Sequence, residues 1–218
     1  VGQWRGHNIV SAPPPSSGGF ALIQLLNMRD FADQHFVDVR HNSPTYIHLL
    51  AELEKRVYAD RAEYLGDPDF IDVPIQQLLA PAYLRRRASE LSPKSISEAT
   101  TVVAGLESTE TIHFSIVDGN GNAVSLTYTL NWAFGSGVVV EGAGFLMNNE
   151  MDDFSAKVGV PNAFGVIGND NNAIEPNKRM LSSMTPTLLL KGDNTNLVIG
   201  TPGGSTIFTS VFQVILNL

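Results

Sequence analysis

Apolar positions follow two different periods along this chain, and the change falls near residue 111. Before it the pattern is helical. Residues 20–31 are apolar almost all round (Phe20, Ala21, Leu22, Ile23, Leu25, Leu26, Met28), which predicts a buried helix. Over residues 44–65, Tyr46, Leu50, Leu53, Val57 and Tyr64 recur at helical spacing, with Ser43 placed as N-cap and Pro44 at the first helical position. The other face carries Glu52, Glu54, Lys55, Asp60, Arg61 and Glu63, which read as solvated charges and intrahelical pairs. Gly66 and Pro68 end that helix, and Pro74 and Pro81 open two shorter ones at 74–80 and 81–91. The run Pro13-Pro14-Pro15 makes residues 1–19 an extended segment, and residues 92–110 read as an exposed loop of the kind where chains are cut.

From residue 111 the period becomes two. Ile112 to Val117 and Asn122 to Asn131 flank the turn Asp118-Gly119-Asn120-Gly121, the composition a hairpin requires. Centring the turn on Gly119-Asn120 brings Thr111 about opposite Tyr128 and Thr129 and puts Thr127, Thr129 and Asn131 on one face. Short strands are expected near 137–140 and 144–147, then an acidic turn over 148–155. Residues 158–179 form a long loop of the kind used as a lid or binding loop. Strands at 187–191 and 197–200 lead into Thr201-Pro202-Gly203-Gly204-Ser205 and an apolar helix from 206. A glycine pair before a helix can leave backbone N–H groups for an oxyanion.

Composition narrows the chemistry. The chain has 218 residues, net charge −8 and no cysteine. There is no basic stripe, which argues against a nucleic-acid partner. Thiolate catalysis, disulfides and Cys-type zinc sites are excluded. No apolar run is long enough to span a bilayer. Asp118-x-Asn120-x-Asn122 lacks the bidentate Glu of a calcium loop and fits the hairpin turn instead, so no metal and no cofactor is expected. The first residues carry no signal peptide and the last helix has no stop signal, which points to a fragment of a longer protein.

The motifs then converge on one family. They begin with Pro13-Pro14-Pro15-Ser16-Ser17-Gly18-Gly19 and Tyr58-Ala59-Asp60-Arg61-Ala62-Glu63-Tyr64-Leu65-Gly66-Asp67-Pro68-Asp69-Phe70. They continue with Thr111-Ile112-His113-Phe114-Ser115, Thr127-Tyr128-Thr129-Leu130-Asn131 and Asn148-Asn149-Glu150-Met151-Asp152-Asp153-Phe154. Pro176-Asn177-Lys178-Arg179-Met180-Leu181-Ser182-Ser183-Met184 and Pro202-Gly203-Gly204-Ser205 complete the series. With these in order, the chain resembles the γ-glutamyltransferases (γ-glutamyltranspeptidases), N-terminal-nucleophile hydrolases. The resemblance implies an α+β fold, a four-layer αββα sandwich of which this chain is a fragment. It implies self-cleavage of the Glu110–Thr111 bond. Residues 1–110 would then be the C-terminal part of a large subunit, and 111–218 the N-terminal part of a small one.

A threonine hydroxyl is a weak nucleophile that needs an adjacent base. Cleavage before Thr111 creates one, an α-amino group of reference pKa about 7.7–8 within reach of its own Oγ. His113 reads as a strand residue. By resemblance, Thr129 orients Thr111, and Gly203 and Gly204 form the oxyanion hole. Asn131, Glu150 and Asp153 hold the substrate's α-ammonium, Ser182 and Ser183 its α-carboxylate, and Phe164 is the aromatic gate of the lid. The family's carboxylate-binding arginine matches none in this chain. Position 150 is Gln or Glu in the family, and Phe at 164 removes the hydroxyl that Tyr would bring to the gate. The implied reaction is γ-glutamyl transfer from glutathione or similar compounds to water, amino acids or dipeptides. The implied location is periplasmic or secreted, and the implied partners are the remaining parts of the same two subunits. The alternatives are a β-lactam (cephalosporin) side-chain acylase and a catalytically silent, uncut fragment.

Overall fold

The computed structural model describes residues 1–98 and 111–218. Most of the loop expected at 92–110, including Glu110 on one side of the expected cleavage bond, lies outside the described residues.

The segment expected to be merely extended contains two strands, β1 (Gly2–Trp4) and β2 (His7–Ser11). Gly2 pairs with Ile9 and Trp4 with His7, and Arg5 and Gly6 turn between them at positive φ. The proline run starts only after β2, so it does not interrupt the pairing. β2 pairs antiparallel with β5 (Thr187–Lys191), which pairs with β6 (Asn194–Ile199). The order β1-β2-β5-β6 thus joins the two ends of the chain in one sheet.

Helix α1 (Gly18–Phe31) runs against this sheet and is wrapped by α2 (Pro44–Tyr64), α4 (Pro81–Ser89) and α5 (Ile207–Leu216), with the short α3 (Ile75–Leu78) beside α4. The start of α1 needs its glycines: a Cβ on Gly18 would lie 2.4 Å from the Met184 carbonyl oxygen, and one on Gly19 2.5 Å from that of Ala12. Ser43 caps α2 by accepting from the Tyr46 amide at 3.2 Å, as its sequence predicts. Leu22, Leu25, Leu26, Leu49, Leu53, Leu84, Phe208 and Phe212 are fully buried between these helices and the sheet. Each such side chain contributes roughly 1.5–3 kcal/mol.

Part of the polar face of α2 is buried, although Glu63 is exposed as expected. Glu52, Arg56, Asp60 and Arg61 are all buried. Glu52 accepts from Lys55 at 2.7 Å and Arg56 at 3.2 Å, and from the Ser97 amide and hydroxyl. Asp60 accepts from Gln24, Tyr83 and Arg87 at 2.9, 2.7 and 3.1 Å. The pairs of Glu52 with Lys55 and Arg56 are intrahelical, as expected, while Gln24, Tyr83, Arg87 and Ser97 belong to segments that close over this face, which the helical period alone could not reveal.

The expected hairpin is present as β3 (Ile112–Val117) and β4 (Ala123–Tyr128), with Ile112 opposite Tyr128. Its inner face packs on β5 and β6. Ser125 donates to the Ile199 carbonyl at 2.9 Å and accepts from the Thr187 amide at 3.0 Å. His113 lies between Thr127 Oγ1 (2.7 Å) and Ser115 Oγ (3.0 Å), over Gly200, where a Cβ would meet its ring. The outer face, including Ile112, Phe114, Ile116, Val124, Leu126 and Tyr128, is bare. Helices, four-stranded sheet and hairpin therefore form three successive layers among the described residues. The strands expected at 137–140 and 144–147 reduce to one bridge, Val139 to Leu146.

Candidate active site

The register of β3 and β4 continues by one residue to set Thr111 opposite Thr129. Thr111 is 7% exposed. Thr129 Oγ1 accepts from the Asn131 amide at 2.8 Å. That contact occupies an acceptor site, leaving the hydroxyl hydrogen to donate elsewhere. Asn131, three residues beyond β4, adopts a left-handed φ of 74° and is itself buried. Its side-chain amide donates to the Asn149 carbonyl at 3.2 Å, which ties the end of the hairpin to the acidic turn.

That turn is a short 3₁₀ helix, Glu150–Asp153. It is held from below by Asn172, which donates to the Asp153 carbonyl at 2.7 Å and accepts from the Leu181 amide at 3.0 Å. Burial, then the charge and hydrogen bond of Asp153, push the Glu150 carboxyl up to about 7. Burial pushes Asp153 up to about 6, against the pull of the Arg61 guanidinium. Two carboxyls this close, with few donors, form a site that gains from a cation.

The Ser182–Ser183 loop approaches from the other half of the chain. Ser182 exchanges backbone hydrogen bonds with the proline-rich segment, its carbonyl accepting from the Ser17 amide at 2.8 Å and its amide donating to Pro15 at 3.1 Å. Gly203 (φ 132°) and Gly204 (φ 52°) turn the chain into α5 through the 3₁₀ segment Gly204–Thr206, in conformations that suit glycine.

One cavity of about 420 Å³, its mouth included, gathers these groups. Thr111, Thr129, Asn131, Glu150, Asp153, Phe164, Ser182, Ser183 and Gly204 line it, and Gly203 stands one residue behind its wall. Thus all the expected site residues except Gly203 meet in it. Phe164 belongs to a tight loop in which Asn162 Oδ1 accepts from the amides of Phe164 and Val166, both at 3.0 Å. That loop is fastened to the acidic turn by the Ala163 amide, which donates to Asp152 Oδ2 at 2.9 Å. A missing hydroxyl at position 164 therefore does not leave the loop without a polar tether.

Two further residues support the site, Asn172 from behind the cavity and Arg61 within its wall. Asn172 has no sequence signal beyond its Asn-rich loop. Arg61 also lines the cavity, is 6% exposed, and donates to Ser17 Oγ at 3.0 Å and Ser183 Oγ at 3.3 Å. Its signal was legible: it follows Val57 by four residues, a charge on the apolar stripe of α2.

Comparison with known proteins bears on this arrangement. The family model described as Gamma-glutamyltranspeptidase matches residues 1–218. The chain is 62% identical over 216 residues to a glutathione hydrolase proenzyme of Pseudomonas aeruginosa, covering 99% of this chain and 39% of that protein. It is 47% identical to the protein of the same name from Escherichia coli, covering 99% of this chain and 38% of the relative. The chain thus spans about two fifths of the length of these curated relatives. Among solved structures, a cephalosporin acylase from Bacillus halodurans superposes with a TM-score of 0.75 at 25% identity, over 99% of this chain and 36% of that one. The α+β fold is accordingly a fragment of the four-layer αββα sandwich of the N-terminal-nucleophile hydrolases.

Proposed function

The chain belongs to the gamma-glutamyltranspeptidase family, and from that premise we propose that it carries the nucleophile of a γ-glutamyl transferase and hydrolase. Residues 1–110 are the end of a large subunit and 111–218 the start of a small one, separated by self-cleavage of Glu110–Thr111. The freed α-amino group takes the proton of Thr111 Oγ as the oxygen attacks the γ-amide carbonyl of a glutathione-like donor. The amides of Gly203 and Gly204 stabilise the resulting oxyanion. The amide C–N bond breaks, the leaving amine takes the proton, and a γ-glutamyl ester remains on Thr111. Water hydrolyses the ester, or an amino acid or dipeptide amine accepts the acyl group. Thr129, with one acceptor site filled by Asn131, donates to Thr111 and orients it.

The observation that carries this reading is the gathering of two carboxyls and two serine hydroxyls beside Thr111 in one cavity. Glu150, Asp153 and Asn131 suit an α-ammonium, Ser182 and Ser183 an α-carboxylate, and all share the space with Thr111. A glutaryl side chain, the substrate class of the acylase alternative, carries no ammonium and leaves both carboxyls unmatched. Among the described residues no helix is long and apolar enough to cross a membrane; an exported location, periplasmic or secreted, is part of the proposal and rests on family membership. The remaining parts of both subunits would cover the bare outer face of the hairpin.

The test compares γ-glutamyl-p-nitroanilide with glutaryl-p-nitroanilide on the full-length protein. Preference for the γ-glutamyl amide of at least about 100-fold is expected from the unpaired buried charge the other leaves. Equal turnover, or preference for glutaryl, would make the acylase reading the better one.

A further inference from the structure

Arg61 joins two loops that the chain brings together from far apart. Its Nε donates to Ser17 Oγ at 3.0 Å and its terminal nitrogen to Ser183 Oγ at 3.3 Å. An arginine side chain only donates. Each serine oxygen that accepts from it must therefore direct its own hydrogen elsewhere. The Ser17 hydroxyl donates to the Ser182 carbonyl at 2.7 Å. For Ser183 no protein acceptor is found among the described residues, and the side chain lines the cavity. With Arg61 behind it, the Ser183 hydroxyl is left to point its hydrogen at whatever occupies that cavity. The same guanidinium pulls the Asp153 carboxyl down against its burial, so one side chain faces both the serine loop and the acidic turn.

We propose that Arg61 is a positioning residue that fixes the Ser183 hydroxyl as a donor and the Ser182–Ser183 loop in place, and thereby selects donors that carry an α-carboxylate. The proposal rests on the γ-glutamyl reading of the cavity. Exchanging the fork while keeping the charge that acts on Asp153 isolates the effect on one substituent of the substrate, which a general structural role would not do. A lysine at position 61 keeps the charge, but its compact ammonium cannot span both serines as the planar fork does.

The experiment uses the full-length, self-cleaved protein and two p-nitroanilides, γ-glutamyl and 4-aminobutyryl. The second has the same amide and ammonium without the α-carboxylate. For Arg61→Lys, KM for the γ-glutamyl donor is expected to rise about tenfold or more, the weight of one charge-assisted hydrogen bond. Its kcat should change by less than about threefold, and kcat/KM for the 4-aminobutyryl donor by less than about twofold. An equal loss on both donors, or no loss on either, overturns the proposal. If Arg61→Lys fails to fold, Ser17→Ala carries the same test by releasing the Nε anchor. A KM rise of about threefold, confined to the γ-glutamyl donor, supports the proposal, and a uniform change or none refutes it. A wild-type protein that turns over neither donor would sink the γ-glutamyl reading and this inference with it. Wild-type turnover with unselective variants would remove this inference alone.

Discussion

Glu52 on α2 and Glu150 in the cavity are the same side chain in two opposite states. Burial pushes both carboxyls up. Around Glu52 the hydrogen bonds of Lys55, Ser97 and Arg56 outweigh that push and bring it down to about 2. Around Glu150 the nearest strong influence is another carboxyl, and it ends at about 7. Asp153, with Arg61 near it, falls between at about 6. Glu54 marks the rule from within α2: its Oε1 is buried without a partner among the described residues, and burial takes it to about 7. Burial is common to these groups, and the supply of donors separates them. The packed helices satisfy most of their polar groups internally, whereas the cavity holds carboxyls poised for a ligand.

The largest effect should come from Thr111→Ala. It removes the nucleophile and the bond partner for self-cleavage, so kcat/KM should fall at least about 10⁴-fold and the full-length protein should stay uncut on a denaturing gel. Substantial residual turnover would detach the cavity from the chemistry. Next come two carboxylate changes that should act in opposite ways. Glu52→Ala leaves Arg56 and Lys55 without their acceptor and should cost about 3–5 kcal/mol in urea unfolding, with the folded fraction still active. Asp153→Asn relieves the crowding beside Glu150 and should leave the melting temperature unchanged or higher, while kcat/KM falls roughly 100-fold. If Asp153→Asn destabilised as Glu52→Ala does, the two regions would not differ in kind.

Their pH responses sharpen the contrast. The Glu52 carboxyl is depressed from its ordinary value near 4.3 to about 2. Its stabilisation is therefore present above about 4.3 and lost as pH falls toward 2, and the Glu52→Gln deficit should be larger at pH 7 than at pH 3. Glu150 and Asp153 are raised, so below about 6 both are largely protonated and attract an ammonium weakly. KM for the γ-glutamyl donor should fall about tenfold between pH 5 and pH 8. Glu150→Gln should reduce the two-step profile to the single titration of Asp153. A KM independent of pH in the parent would contradict the poised pair.

The parts of the fold written in local spacing were legible. The helices α1, α2 and α5 follow their apolar periods, and the Asp118–Gly121 turn set the register that brings Thr129 opposite Thr111. β2 was not legible because it pairs with Leu188 and Leu189 of β5, far along the chain, and the three-residue β1 pairs only with β2. The place of Arg61 on the apolar stripe of α2 is legible, but its acceptor Ser183, 122 residues away, is not. Asn172 joins the Asp153 and Leu181 backbones, 19 and 9 residues away, inside an irregular loop where no period marks an inward side chain. The positions of Asn131, Glu150, Asp153 and the serines came from family resemblance, and spacing alone would not have assembled them.

Whether Thr111 becomes an N-terminal nucleophile is read from the intact mass of the denatured full-length protein after brief reaction with a slow γ-glutamyl donor. Two chains are expected, the smaller beginning at Thr111 and carrying the mass of one γ-glutamyl group on that residue. A single uncut chain that still turns over donor, or an acyl group on any other residue, would contradict that role.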